Sequence, residues 1–86
     1  MLDKKISFSL RAIRMNLGLT LDEASELIGV SKYTLSNYEN FRTIPNINRI
    51  NKIASVYGVD IDQIRFLPNE KEKKLIAVKN KSSIWI

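Results

Sequence analysis

The 86 residues suffice for one core and are too few for two domains, and 44% hydrophobic with 27% charged residues describe a globular chain. With neither Cys nor His, the chain can form no disulfide, thiolate metal site or cysteine nucleophile, and it lacks the commonest metal ligand and general base. Fourteen basic against nine acidic residues give +5, which suits a polyanionic partner; no metal, no cofactor and no catalysis are expected.

Asp3, Lys4 and Lys5 open the chain without the apolar stretch of a secretion signal, so a cytoplasmic protein is expected. Ile6, Leu10, Ile13 and Leu17 recur at spacings of four, three and four, which predicts a first helix from about Asp3 to Asn16 with that stripe inward. Gly18 ends it. Thr20 and Glu23 form a capping box for a second helix, where Asp22 and Glu23 also suit the N-terminal dipole.

The stretch Leu21 to Glu39, LDEASELIGVSKYTLSNYE, sets two short helical patterns on either side of Gly29-Val30-Ser31. Gly29 provides the positive φ of a sharp turn, Ser31 caps the next helix, and Val30 with Leu35 forms a hydrophobic staple. This is the spacing of a helix-turn-helix. Ala24, Ile28, Val30, Leu35 and Tyr38 lock the two helices together, which leaves Lys32, Tyr33, Ser36 and Asn37 facing outward on the third helix.

That helix is predicted from Lys32 to about Asn40, and Pro45 forbids helical continuation from Ile44. Asn46 caps a fourth helix with the stripe Ile47, Ile50, Ile53, Ala54 and Tyr57, closed by Gly58. Asp60 and Gln63 cap a short fifth helix, IDQIRFL, ended by Pro68; that role accounts for Asp60, and a solvated face accounts for Asp62. The tail, residues 69–86, holds five lysines and two glutamates and so carries +3 of the net +5. Ile76, Val78, Ile84, Trp85 and Ile86 favour a strand or hairpin around Asn80-Lys81, with a sixth helix capped by Asn69 and Glu72 as the alternative. Its apolar end needs cover from the domain, a second copy or a protein partner unless it stays disordered. The longest apolar runs, such as Leu75 to Val78, are far too short to span a membrane.

From about Ile6 to Leu67 the chain resembles the Cro and phage-repressor type of helix-turn-helix domain, the XRE family. The likeness rests on LRAIR ending helix one, Gly18-Leu19-Thr20, LIGVS at the turn, NYEN closing helix three, Pro45-Asn46, and SVYGVDIDQI joining helices four and five. It implies an all-α, five-helix, lambda-repressor-like domain over residues 1–68. The third helix of such a domain enters the major groove of double-stranded DNA, usually as a homodimer on a near-palindromic operator. Carried over residue by residue, the base-reading positions are Lys32, Tyr33 and Asn37. The resemblance also pairs Arg14 with Glu39 to hold the third helix. Thr34, Ser36, Asn40 and Arg42 are expected on phosphates, where they set register.

Departures from the family pattern are Leu21, where a phosphate-binding Gln is common, and Ser25 at the helix crossing, which needs a carbonyl one turn back for its hydroxyl. Phe41 stands where Gly often follows the Glu-Asn pair, so Asn40 is expected to take the left-handed conformation. The leading reading is a transcriptional repressor, from a prophage or mobile element, that excludes polymerase sterically. Two alternatives stay open: the DNA-binding antitoxin of a toxin-antitoxin pair, and an interaction module that has lost DNA binding.

Overall fold

The computed structural model describes residues 6–85, and the side chains of residues 6–78. Five α-helices follow in order: α1 (Leu10–Asn16), α2 (Leu21–Ile28), α3 (Lys32–Glu39), α4 (Ile47–Tyr57) and α5 (Glu70–Trp85). Two short strands, β1 (Phe8–Ser9) and β2 (Ile64–Arg65), pair in parallel, with Phe8 opposite Ile64 and Ser9 opposite Arg65. The architecture is all-α with five helices, as expected, but the fifth lies in the tail and not over residues 61–67.

Helix α1 begins at Leu10, later than its apolar spacing suggests; the expected start at Asp3 lies outside the described residues. Ser9 is extended and its side chain accepts the amide of Ala12 at 3.2 Å, so the backbone is capped there and the preceding residues pair with β2 instead. Ile6 is consequently 68% exposed, and Leu17, just past the helix end, is 46% exposed. The inward stripe reduces to Leu10 and Ile13. These pack with Ala24 and Ile28 of α2, Leu35 of α3, Ile53, Ala54 and Tyr57 of α4, and Ile64 of β2. Burial of each large member contributes roughly 1.5–3 kcal/mol.

Helix α4 is capped by Asn46, whose Oδ1 accepts the Arg49 amide at 2.8 Å, and it ends at Gly58 with φ 69°. Ile53, Ala54 and Tyr57 are buried as expected, but Ile47 is 62% exposed and Ile50 only half-buried, so the first turn of α4 stands outside the core. The predicted helix over 61–67 is a single 3-10 turn, Ile61–Gln63. Gln63 Oε1 accepts the Asp60 amide at 2.9 Å, yet Ile64 turns extended to pair with Phe8 and buries its side chain, which ends the turn.

The strand expected in the tail is also corrected: residues 70–85 are helical. Asn69 Oδ1 accepts the Glu72 amide at 2.8 Å while Glu72 Oε1 accepts the Asn69 amide at 2.9 Å. This reciprocal cap outweighs the β-propensity of Ile76 and Val78. Among the described residues, strand pairing is found between β1 and β2. Glu72 also receives both Nη1 and Nη2 of Arg65, the latter at 3.2 Å, which ties α5 to β2. Leu75 and Val78 remain exposed. Ile86, and the side chains of Ile84 and Trp85, lie outside the described residues.

Candidate nucleic-acid interface

The turn between α2 and α3 sets the direction of α3. Gly29 holds φ 88°, where an L side chain would be strained, and the amides of Gly29 and Val30 both reach the Ser25 carbonyl, at 2.8 and 3.0 Å. Ser31 accepts the Thr34 amide at 3.0 Å and donates its hydroxyl to Thr34 Oγ1 at 2.9 Å. The Thr34 hydroxyl proton is thereby left for an outside acceptor. Leu35 is fully buried, with Val30 and Tyr38 packed beside the core, so α3 is pinned from beneath. Ser25, buried at the helix crossing, donates to the Asp22 carbonyl at 2.9 Å, which supplies the partner its position requires.

A second constraint joins the ends of α1 and α3. Arg14 Nε donates to Glu39 Oε2 at 2.6 Å and Nη2 to Oε1 at 3.0 Å, while Nη1 donates to the Leu19 carbonyl at 2.9 Å. Only 12% of the Arg14 side chain and 5% of the Glu39 side chain are exposed. Hydrogen bonding to Glu39 raises the Arg14 pKa above its ordinary value, against the opposing effect of burial. The two-point geometry fixes the orientation of Glu39, and with it the last turn of α3.

On the outward side, Tyr33 is 74% exposed. Lys32 is also exposed and lies 3.6 Å from Asp22 Oδ1 across the turn. Asn37 is half-buried, and its Oδ1 accepts from Arg42 Nη1 at 3.4 Å. Asn40 turns back on its own helix: Nδ2 donates to the Ser36 carbonyl at 2.8 Å and to Ser36 Oγ at 3.2 Å. Those bonds engage the donors of Asn40, while Ser36 Oγ accepts one of them and keeps its own proton to donate. Lys32, Tyr33, Ser36 and Asn37 therefore share a solvent-accessible surface rich in donors, backed by the apolar side of the same helix.

A family model described as Helix-turn-helix matches residues 10–64, more than half of the chain. The chain belongs to this helix-turn-helix family. It is a DNA-binding regulator of the XRE type, in line with the resemblance to Cro and phage repressors. Neither a curated protein nor a solved structure matches it. Among the described residues, no helix is long and apolar enough to cross a membrane.

Two features of this helix-turn-helix domain escape sequence reasoning. Asn40 keeps φ −96°, and the left-handed position falls on Phe41 at φ 60°. The amide of Phe41 bonds the Tyr38 carbonyl at 3.2 Å and that of Arg42 bonds the Asn37 carbonyl at 2.9 Å, the paired bonds of a Schellman end. Both bonds require the residue after the cap to be left-handed, so the strain passes to Phe41, where it costs about 1–2 kcal/mol. A missing Gly was the signal, but not which residue would replace it. The second feature is Tyr57, whose buried hydroxyl has no hydrogen-bond partner among the described residues. Burial pushes its pKa up to about 12, helped by the Glu39 carboxylate and opposed by Arg14.

Proposed function

We propose that this protein is a sequence-specific repressor that binds double-stranded DNA as a homodimer, with α3 in the major groove of each half-site. The observation that carries this reading is the buried Arg14–Glu39 fork, which holds the end of α3 rigid beneath an exposed donor-rich face. Lys32, Tyr33 and Asn37 read bases; Thr34, Ser36 and Arg42 hold phosphates; Asn40 braces the end of α3 and contributes less to the phosphates than its position alone implies. One short recognition helix reads too few base pairs for specificity, and two half-sites about 34 Å apart resolve this. The exposed Leu75 and Val78 of α5, together with the apolar end of the tail, supply a surface for a second copy. A dimer of this size blocks polymerase by occupying the promoter.

Selection from random duplexes tests the proposal: an enriched near-palindrome with two α3-sized half-sites is expected, and enrichment of a single half-site removes the dimer. No enrichment at all removes sequence reading. That last result favours an interaction module, a reading supported by one specific observation. Leu21 packs against the core where family members commonly offer a phosphate-binding Gln, and the exposed Asp22 carboxylate sits beside Lys32.

A further inference from the structure

The Schellman end of α3 brings Arg42 back over the helix it follows. Its amide donates to the Asn37 carbonyl at 2.9 Å and its guanidinium donates to the Asn37 side chain, Nη1 to Oδ1, at 3.4 Å. One residue thus holds both the backbone and the side chain of another, and the left-handed Phe41 makes the return possible. Arg42 itself is exposed and Asn37 half-buried, so the pair lies where a ligand on the outer face of α3 would meet it.

We propose that Arg42 is a positioning residue for Asn37, fixing the amide in the one orientation that reads adenine. The inference rests on the DNA-binding reading above. A guanidinium carries only donors, so the Asn37 atom facing it is Oδ1, and a flipped amide would set Nδ2 against a cation. Adenine in the major groove offers an N6 donor and an N7 acceptor; it is matched when Oδ1 accepts from N6 through its second lone pair and Nδ2 donates to N7. The opposite orientation turns Nδ2 toward the six position, where guanine offers the acceptor O6. Left alone, the Asn37 amide can adopt either orientation. With Arg42 on Oδ1 it is committed to adenine, and the cationic donor polarises the carbonyl that N6 must bond.

The experiment compares duplexes that differ only in A·T or G·C at the base pair facing Asn37, using the unsubstituted protein, Arg42→Met, Asn37→Ala and the double variant. Met keeps the stem length and removes every donor. Arg42→Met is expected to narrow the adenine-over-guanine preference by about tenfold, and to leave the preference unchanged when Asn37 is already Ala. Because Arg42 also holds a phosphate, its loss lowers the salt slope by about 0.9 in either case; an adenine-over-guanine preference left unchanged by Arg42→Met, with both duplexes weakened equally, would overturn the proposal and leave Arg42 the phosphate contact alone. That result leaves the DNA-binding reading standing. If the unsubstituted protein shows no base preference on any duplex, both fail together.

Discussion

Among the described residues, two forked Arg–Glu pairs share the same chemistry in different surroundings. Arg14–Glu39 joins α1 to α3 with 12% and 5% of the side chains exposed, and Arg65–Glu72 joins β2 to α5 with 24% and 25% exposed. The inner pair is nearly buried and Arg14 makes a third donor bond to the Leu19 carbonyl, so losing one partner leaves the other largely shielded from water. The outer pair is wetter, and Glu72 has a second function as the capping residue of α5. Burial therefore decides what each pair does. The inner one is expected to give little net stability over an apolar replacement, because desolvation offsets its Coulomb attraction, and on the proposed reading its work is to fix the direction of α3. The outer one holds a peripheral helix that can loosen alone.

The largest expected effect tests the inner pair. Arg14→Ala leaves the Glu39 carboxylate buried without its partner and is expected to cost about 3–5 kcal/mol in denaturant unfolding. The informative variant is the double replacement Arg14→Met with Glu39→Met, which removes both charges and keeps the volume. Its stability is expected within about 1 kcal/mol of the parent, while affinity for the selected duplex falls. A double variant that binds normally shows that α3 is aimed by Leu35 and the Gly29 turn alone.

The outer pair is expected to fail locally. Glu72→Ala removes the cap of α5 and the Arg65 fork together, worth about 1–2 kcal/mol to α5 alone. Hydrogen exchange should quicken in the amides of α5 and stay unchanged in α1 to α4. Acid gives the same result reversibly. Burial works against the charged Glu72 carboxylate, but bonds from Arg65 and Asn69 more than offset it and hold the pKa below its usual value. A depressed carboxylate contributes stability above its unfolded pKa and loses it as pH falls through the folded one. Helix α5 is therefore expected to loosen below the ordinary carboxylate range, and Glu72→Gln should abolish that pH dependence.

Beside the inner pair, Tyr57 offers a smaller test of the same burial. Its hydroxyl is enclosed without a partner among the described residues, so Tyr57→Phe is expected to change neutral-pH stability by less than about 1 kcal/mol, toward stabilisation. A phenol whose pKa is raised on folding contributes stability that is complete below the unfolded value near 10 and disappears as pH rises through about 12. Alkaline melting curves should show that loss in the parent and a smaller one in Tyr57→Phe.

How much of this was legible in the residues follows from how local each signal is. The turn at Gly29, the Ser31 and Asn46 caps and the Thr20–Glu23 box depend on side chains within three positions of the amides they bond, and all are present. The start of α1 is not legible in the same way: Ile6 continues a helical spacing, while the pairing that makes Phe8 extended comes from Ile64, more than fifty residues away. In the tail the β-formers are a composition, whereas the Asn69–Glu72 cap is a geometry that acts first. The Arg14–Glu39 contact was accessible only through the family resemblance, since nothing in the spacing of two distant charges says that they meet. Membership of the helix-turn-helix family leaves the roles of Lys32, Tyr33 and Asn37 to experiment.

A more exposed ion pair, Lys32–Asp22, extends the gradient and carries the smallest expected change in stability of the variants considered. Lys32 and Asp22 stand 3.6 Å apart with 60% and 72% of their side chains exposed, so water and salt screen them and the pair contributes little. Asp22→Asn is expected to move the unfolding midpoint by less than about 0.5 kcal/mol. Its consequence for DNA has the opposite weight. On the proposed reading Asp22 places a carboxylate beside the base-reading Lys32, so it both occupies Lys32 and repels the phosphate backbone. Removing that charge should tighten binding most on duplexes that carry the preferred base at the position facing Lys32. Tighter binding on every duplex alike, with the dependence of log K on log salt steepened by about 0.9, would mean that Lys32 contacts a phosphate instead.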